Sequence, residues 1–314
     1  MVLPAARGRL SEELFAALAA NDAVSERSIP RPDSPDDEQI ALWALYELHY
    51  RGFDEVDADR EWDPDLLRLR RDLERSFEER LRTWVSIPEA AGPVSEVIEK
   101  LIAVDDAPSI ARFVQRRATG DQVRTVLQHR SIYHLKESDP VSWIVPRLEA
   151  GPKAALAGLQ FDEYGSGQPS RLHHRLFADG LRAAELDDTY GRYIDEAPVE
   201  ILELNNAMSL FGLHRRWRGA GLGHLAVFEA TSSLPSRQMA QGLRRLGFPE
   251  PVAHYYDEHV EADAVHEQLA LRLICDVLVE EEPDQRDSVL FGAATCLELE
   301  ARYARKILRQ WDAA

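Results

Sequence analysis

The residues best suited to chemistry lie between His259 and His266, in a segment that reads H-x3-D-x2-H. The surrounding run from His254 to Glu282 contains neither glycine nor proline, which favours a helix. At about 100° per residue, His259, Asp263 and His266 would lie within roughly 60° of one another on one helical face. Two imidazoles and a carboxylate placed in this way are typical ligands of a transition metal, and of iron in particular. The alternative interpretation is a surface helix with solvated side chains.

A second group of chemically capable residues lies about ninety residues upstream, around a tight connection. Glu163 ends a predicted helix, and the next predicted helix, which follows a Gly-Ser-Gly-Gln-Pro turn, carries His173. Such a turn lets a carboxylate and an imidazole on adjacent antiparallel helices face each other. Glu137 lies at the end of its own predicted helix and, taken alone, would be interpreted as a surface acid. His174 competes with His173, and spacing alone does not choose between them.

Carboxylates from several helices, combined with histidines, are the arrangement found in carboxylate di-iron proteins. In these motifs the chain resembles the haem-oxygenase-like di-iron oxidases and oxygenases, whose bacterial members include the iron-containing redox enzymes. The family pattern is a Glu, a Glu in E-Y-G-x-G, a His in H-x2-L-F and a late H-x3-D-x2-H, and the resemblance covers roughly residues 36–311. By this resemblance the metal ligands are Glu137, Glu163, His173, His259, Asp263 and His266.

The resemblance implies an all-α, haem-oxygenase-like helical bundle that binds two irons, the second of which is held loosely in several relatives. It implies an O2-dependent oxidase or oxygenase that acts on a small organic substrate such as an amine, an amino acid or a fatty acid, in specialised metabolism. It also selects His173 over His174, and we expect no catalytic residue beyond the metal ligands and no other cofactor site. Two alternatives stay open: a haem-binding or haem-degrading protein of the same fold, and a non-catalytic iron-binding helical protein.

Four further features of the sequence bear on the site. Glu229 is either an additional acid of the metal site or a buried carboxylate paired with arginine. The glycines at 219, 221 and 223 lie where haem oxygenases place glycine against haem, but we interpret them as sites of close helix packing. We interpret His49 as a packed histidine rather than a haem ligand, and we expect Asp162 to point away from the site of Glu163.

The periodicity of apolar residues predicts helices almost throughout, in a single domain over residues 36–314. Residues 24–35 carry three prolines among Ser, Asp and Arg, so we predict that residues 1–35 form a flexible N-terminal leader. No alternating strand, GxGxxG, Walker motif or repeat is evident. The predicted helices follow Asp36 and Pro64 and cover residues 94–104, 108–117, 121–137, 141–149, 153–163, 170–184, 198–213, 222–232, 236–246, 252–282 and 285–311.

Composition narrows the functional classes. The 314 residues are 45% hydrophobic and 29% charged, which is ordinary for a soluble globular protein. A formal net charge of -18 opposes non-specific binding to nucleic acid or anionic lipid, and no apolar run is long enough for a transmembrane helix. The two cysteines, Cys275 and Cys296, lie on apolar helical patterns and are expected to be core thiols. We therefore expect a cytoplasmic protein with a small-molecule substrate, no nucleic-acid or membrane partner, and a homodimer as a compatible state.

Overall fold

The computed structural model describes residues 1–22 and 29–312, except for the side chains of residues 261–264. Within these residues every regular element is helical, which confirms the all-α prediction. A π-helical segment (Leu269–Asp276) joins two of the helices without a break, and short 3-10 turns connect others. The α-helices are α1 (Arg9–Ala19), α2 (Pro35–Glu47), α3 (Pro64–Trp84), α4 (Val94–Val104), α5 (Ile110–Arg116), α6 (Gly120–His134), α7 (Asp139–Ser142), α8 (Ala150–Glu163), α9 (His173–Ala183), α10 (Val199–Leu213), α11 (Arg218–Arg245), α12 (Glu250–Gln268), α13 (Val277–Glu281) and α14 (Arg286–Asp312).

Several helices begin where the sequence supplies a cap. The side chain of Ser34 accepts a hydrogen bond from the backbone of Asp37 at the start of α2, and Asp63 caps α3 in the same way. Thr119 and Gln122 cap each other reciprocally at the start of α6, the helix that leads to Glu137. Local sequence therefore fixes where these helices start.

Helix α11 is continuous through Pro235, whereas two helices were predicted there. A proline inside a helix removes one backbone hydrogen bond and crowds the preceding turn. Because α11 packs along its length against α5, α12 and α14, tertiary contacts outweigh that local cost. The prediction of a break at this proline is wrong.

Helix α1 corrects the expectation of a flexible leader for residues 9–19. Leu10, Leu14 and Leu18, spaced four residues apart, form one stripe that is fully buried in the main apolar cluster. The carboxylate of Asp37 accepts hydrogen bonds from the backbone nitrogens of Leu10 and Ser11, at 3.1 and 2.8 Å. The leader prediction gave too much weight to the prolines that follow and too little to this stripe. The wider division of the chain into domains stays a prediction.

The long helices α11 and α14 cross at direct backbone contact. A Cβ atom on Gly223 would overlap the carbonyl of Val289, and one on Gly292 would overlap the carbonyl of Ala220. This crossing sets the position of α11, which carries Glu229. Among the described residues, no helix combines the length and apolarity that crossing a bilayer requires.

Candidate metal centre

Five of the six predicted ligands are buried and lie in two neighbouring groups, while the side chain of Asp263 lies outside the described residues. They come from four parts of the fold that are distant in sequence. Glu137 lies in the turn after α6, Glu163 ends α8, His173 begins α9, and His259 and His266 lie on α12.

The first group consists of Glu137, His173 and His259, each of which offers one ligand atom within 4.8 Å of the others. Nε2 of His259 lies 3.6 Å from Oε1 of Glu137, and the rings of His173 and His259 are 4.5 Å apart. Nδ1 of His259 donates a hydrogen bond to the carbonyl of Tyr255, at 2.8 Å. In a neutral ring this bond keeps the proton on Nδ1, so the lone pair of Nε2 faces the group.

The second group consists of Glu163, Glu229 and His266, under the same distance limit. Nδ1 of His266 lies 3.4 Å from Oε1 of Glu163 and 3.4 Å from Oε2 of Glu229. Glu229 therefore faces His266, which favours the interpretation of this residue as an additional acid of the metal site. Sequence reasoning did not include Glu229 among the ligands, because its role depends on how α11 packs against α12.

Asp162 contributes from outside the second group. Its Oδ2 atom lies 3.4 Å from Nε2 of His266, although the Asp162 side chain is 49% exposed. A carboxylate on the outer nitrogen of a histidine fixes the ring and leaves the inner nitrogen free for a metal. We expected Asp162 to point away from the site of Glu163, but its carboxylate lies against His266 of that site.

Glu163 connects the two groups. Its Oε2 atom lies 2.9 Å from Nδ1 of His173 in the first group, and its Oε1 atom faces His266 in the second. The hydroxyl of Ser138 also donates to Oε2, at 3.3 Å. Glu163 therefore directs one carboxylate oxygen to each of the two groups.

Two buried nitrogens provide a test of whether a metal fits. Nδ1 of His173 and Nδ1 of His266 are both without a hydrogen-bond partner, although carboxylate oxygens are close to each. These contacts lack the direction of hydrogen bonds, and buried polar atoms without a partner are costly. Ligand atoms that surround a shared cation would have this geometry, so the residues fit a metal.

The electrostatics of the two groups lead to the same conclusion. Burial lowers the pKa of His259, but the adjacent Glu137 and the charge of Glu163 outweigh burial and raise that pKa to about 10. Burial likewise opposes protonation of His266, and Glu229 and Glu163 raise its pKa to about 9. The carboxylates thus draw positive charge into a buried site, which a metal cation would supply.

A compact set of contacts holds Glu137 in place. The Tyr255 hydroxyl lies 3.0 and 2.9 Å from its two oxygens, and Nδ1 of His134 lies 3.1 Å from Oε1. The next residue, Ser138, has a left-handed backbone with φ of 68°. The preceding residue, Lys136, is buried, and its Nζ lies 3.3 Å from Oε2 of Glu47. The carboxylate is therefore set by the tertiary structure and not by a helix face.

His174 is half-buried and belongs to neither ligand group among the described residues. Of the two adjacent histidines, the structure therefore brings His173 to the site, as the resemblance implies.

A cavity of about 300 Å³ adjoins the first group, with Glu137, His134 and His259 in its wall. This volume lies at the lower end of the range for small-molecule sites. Much of the remaining wall is apolar and includes Val126, Val227, Phe228, Met239 and Ala301.

The fold and the two ligand groups define an all-α protein with a buried candidate metal centre. A family model described as iron-containing redox enzyme matches residues 124–301, a range that contains every candidate ligand. The chain belongs to this family, and its function is iron-dependent redox chemistry. No curated protein matches the chain.

Proposed function

We propose that this protein is a non-haem di-iron oxidase or oxygenase that uses O2 to oxidise a small organic substrate. The observation that carries the proposal is the position of Glu163, between one group that contains His173 and another that contains His266. Each group offers three oxygen or nitrogen ligands, and carboxylates with imidazoles suit ferrous iron. Two metal positions that share a carboxylate are what a di-iron site requires.

Glu137, His173 and His259 would hold one iron, and Glu163, Glu229 and His266 the other, with Glu163 between them. We keep Asp263 as a further proposed ligand because its place in H-x3-D-x2-H puts it on the helical face of His259 and His266. When bound, ferrous iron supplies electrons for the reduction of O2. The protein's own residues orient the ligands through Tyr255 and Asp162, and apolar side chains such as Phe228 limit the access of water to the cavity.

Two observations favour this function over haem chemistry. Gly223, which would face a haem under the alternative, instead accommodates the backbone of α14. His49 has Glu61 against one ring nitrogen and Arg70 against the other, so it packs as a structural histidine. Haem also requires an axial ligand and not two groups of carboxylates. The cavity beside the first group favours an enzyme over a protein that only stores iron.

The test is anaerobic loading of the purified protein with ferrous iron, followed by metal analysis, absorption spectroscopy and exposure to O2. We expect iron without a Soret band, a transient broad visible band after O2 is added, and consumption of O2. A Soret band, or a failure to bind iron, would overturn the proposal.

Two variants sharpen this test. His266→Ala should lower the iron content, and His266→Ala and Asp263→Ala should both abolish O2 consumption. Both should keep the far-UV circular dichroism of the parent, because the apolar core holds the bundle. The matched control is His174→Ala, which should keep both iron and O2 consumption. A requirement for His174, with His173 or His266 dispensable, would contradict the ligand assignment.

A further inference from the structure

The cavity beside the first ligand group also contains an ion pair, Arg130 and Glu300. Neither residue is a candidate metal ligand. Nη1 and Nη2 of Arg130 donate to the two oxygens of Glu300, at 2.7 and 2.6 Å, in a bidentate pair between α6 and α14. Both side chains are half-buried, and both line the cavity.

The wall of the cavity combines exposed and buried residues. It includes exposed Asp105 and Pro108, from the connection between α4 and α5, and buried Glu137 and His259. Arg130 precedes His134 by four residues on α6, which is about 6 Å along the helix axis. His134 in turn contacts Glu137. The ion pair and two of the candidate ligands, Glu137 and His259, therefore line one cavity, and Arg130 lies one helical turn from the residue that contacts Glu137.

The chemistry of the pair restricts what it can bind. After the two bonds between them, the guanidinium of Arg130 has three further N–H donors, and each oxygen of Glu300 can accept a further bond. A lone anion at this position would be repelled by Glu300, and a lone cation would be repelled by Arg130. A group that carries both charges meets an opposite charge at each residue.

A purely structural role for the pair is the alternative. Ion pairs removed from water lose much of their hydration, so that apolar residues of similar volume are often at least as stabilising. Here the two charged side chains form part of a cavity wall that is otherwise largely apolar and includes Val126, Met239 and Ala301. Its position therefore favours recognition of a ligand over a clamp between helices.

We propose that Arg130 and Glu300 bind the headgroup of a zwitterionic substrate, with an ammonium and a carboxylate on one carbon. The ammonium contacts Glu300, the carboxylate contacts Arg130, and the apolar chain extends towards Glu137 and His259. This inference rests on the proposed function, since it assigns the substrate class of that site. It places the chain of the substrate, and not its headgroup, next to the candidate iron ligands.

The test compares three probes of equal chain length, 2-aminooctanoate, octanoate and 1-aminooctane, by isothermal titration calorimetry. The full-length protein is used both as purified and after removal of metal with a chelator. We expect 2-aminooctanoate to bind at least tenfold more tightly than either of the singly charged probes. Octanoate or 1-aminooctane binding as tightly as 2-aminooctanoate would overturn the proposal.

Charge-specific variants separate recognition from structure. Glu300→Gln should weaken the binding of 2-aminooctanoate about tenfold and strengthen the binding of octanoate. Arg130→Gln should also weaken the binding of 2-aminooctanoate, but it should strengthen the binding of 1-aminooctane. The matched control is Arg302→Gln, which breaks another ion pair of α14, with Glu203, away from this cavity. It should leave the order of the three probes unchanged. If both cavity variants lost affinity for all three probes equally, the proposal would be overturned and the ion pair would have a structural role.

The binding measurements do not require iron, so the two proposals can fail separately. If the chelated protein prefers the zwitterion but binds no iron, the di-iron function is wrong and the headgroup site stands. If iron binds and O2 is consumed but 2-aminooctanoate binds no more tightly than the singly charged probes, the headgroup site is wrong and the di-iron function stands. Where Glu300→Gln does not fold, the order of the three probes on the parent protein still decides.

Discussion

Oε2 of Glu163 lies 2.9 Å from Nδ1 of His173, across the connection between α8 and α9. The second oxygen of Glu163 faces His266 on α12, so this carboxylate contacts both ligand groups. Glu229 is different, because among the described residues it belongs to the group of His266 and not to that of His173. The two glutamates should therefore differ in what their removal does to iron binding.

We predict that Glu163→Ala removes iron from both groups, whereas Glu229→Ala removes it from one. The reason is that Glu163 contributes a ligand atom at both positions, and the loss of one ligand weakens each. Iron per chain, measured after ferrous loading and desalting, should fall to nearly zero for Glu163→Ala and to about half of the parent value for Glu229→Ala. Equal losses in both variants would contradict the bridging position of Glu163.

The sequence predicted the parts of this site that depend on local spacing. The spacing of His259 and His266 along one helix requires only helical geometry, and both side chains reach the interior. Glu229 could not be assigned in this way, because its contact with His266 depends on how α11 lies against α12. The signal available in the sequence was an acid within the otherwise apolar stretch from Leu225 to Ala230, which indicates a buried carboxylate but not its partner.

The helices show the same limit of prediction from sequence, which is reliable where local signals act alone and fails where tertiary contacts override them. The predicted range 94–104 coincides with α4, because the apolar periodicity and the residues that flank the helix indicate the same bounds. At Pro235 and at α1 the local signals and the tertiary contacts disagree, and the contacts prevail. Pro235 is tolerated because α11 is packed on several sides, and α1 is ordered because its leucines enter the core.

We predict that Leu14→Ala lowers the free energy of unfolding by about 2–5 kcal/mol. Leu14 is fully buried in the main apolar cluster, so the shorter side chain leaves a cavity. Urea denaturation measures the effect, and exposed Glu12 on the same helix provides the control, with Glu12→Ala expected within about 0.5 kcal/mol of the parent. Equal stability of the Leu14 variant and the parent would mean that α1 is not docked in solution.

We predict that Lys136→Met destabilises the protein and lowers its affinity for iron. Lys136 is buried, its Nζ contacts Oε2 of Glu47 at 3.3 Å, and it also lies over the ring of Tyr50 at 4.3 Å. Removal of the ammonium leaves the Glu47 carboxylate buried without this partner, which costs about 3–5 kcal/mol. It also releases the turn that presents Glu137.

The control for this prediction is the double variant Lys136→Met with Glu47→Gln. It removes both charges and should recover most of the stability, as measured by urea denaturation. Iron affinity should stay below that of the parent, because the turn before Glu137 has still lost its anchor. Full recovery of iron affinity would show that Lys136 contributes to folding alone.

We predict that His224 makes the stability of the protein depend on pH between about 6.5 and 4. Burial lowers the pKa of His224 to about 4, and its Nε2 atom is buried without a hydrogen-bond partner. Because the pKa is lower in the folded state than in the unfolded chain, the folded state favours the neutral ring. This contribution is complete above about pH 6.5 and decreases as pH falls towards 4, since the unfolded chain then binds the proton first. At pH 5 the loss of stability should be roughly 2 kcal/mol.

Urea denaturation of the metal-free protein at pH 7 and pH 5 measures this loss, with His224→Leu as the comparison. The variant should lose less stability than the parent over this range by about that amount, and an equal loss in both proteins would show that His224 accepts a proton without unfolding.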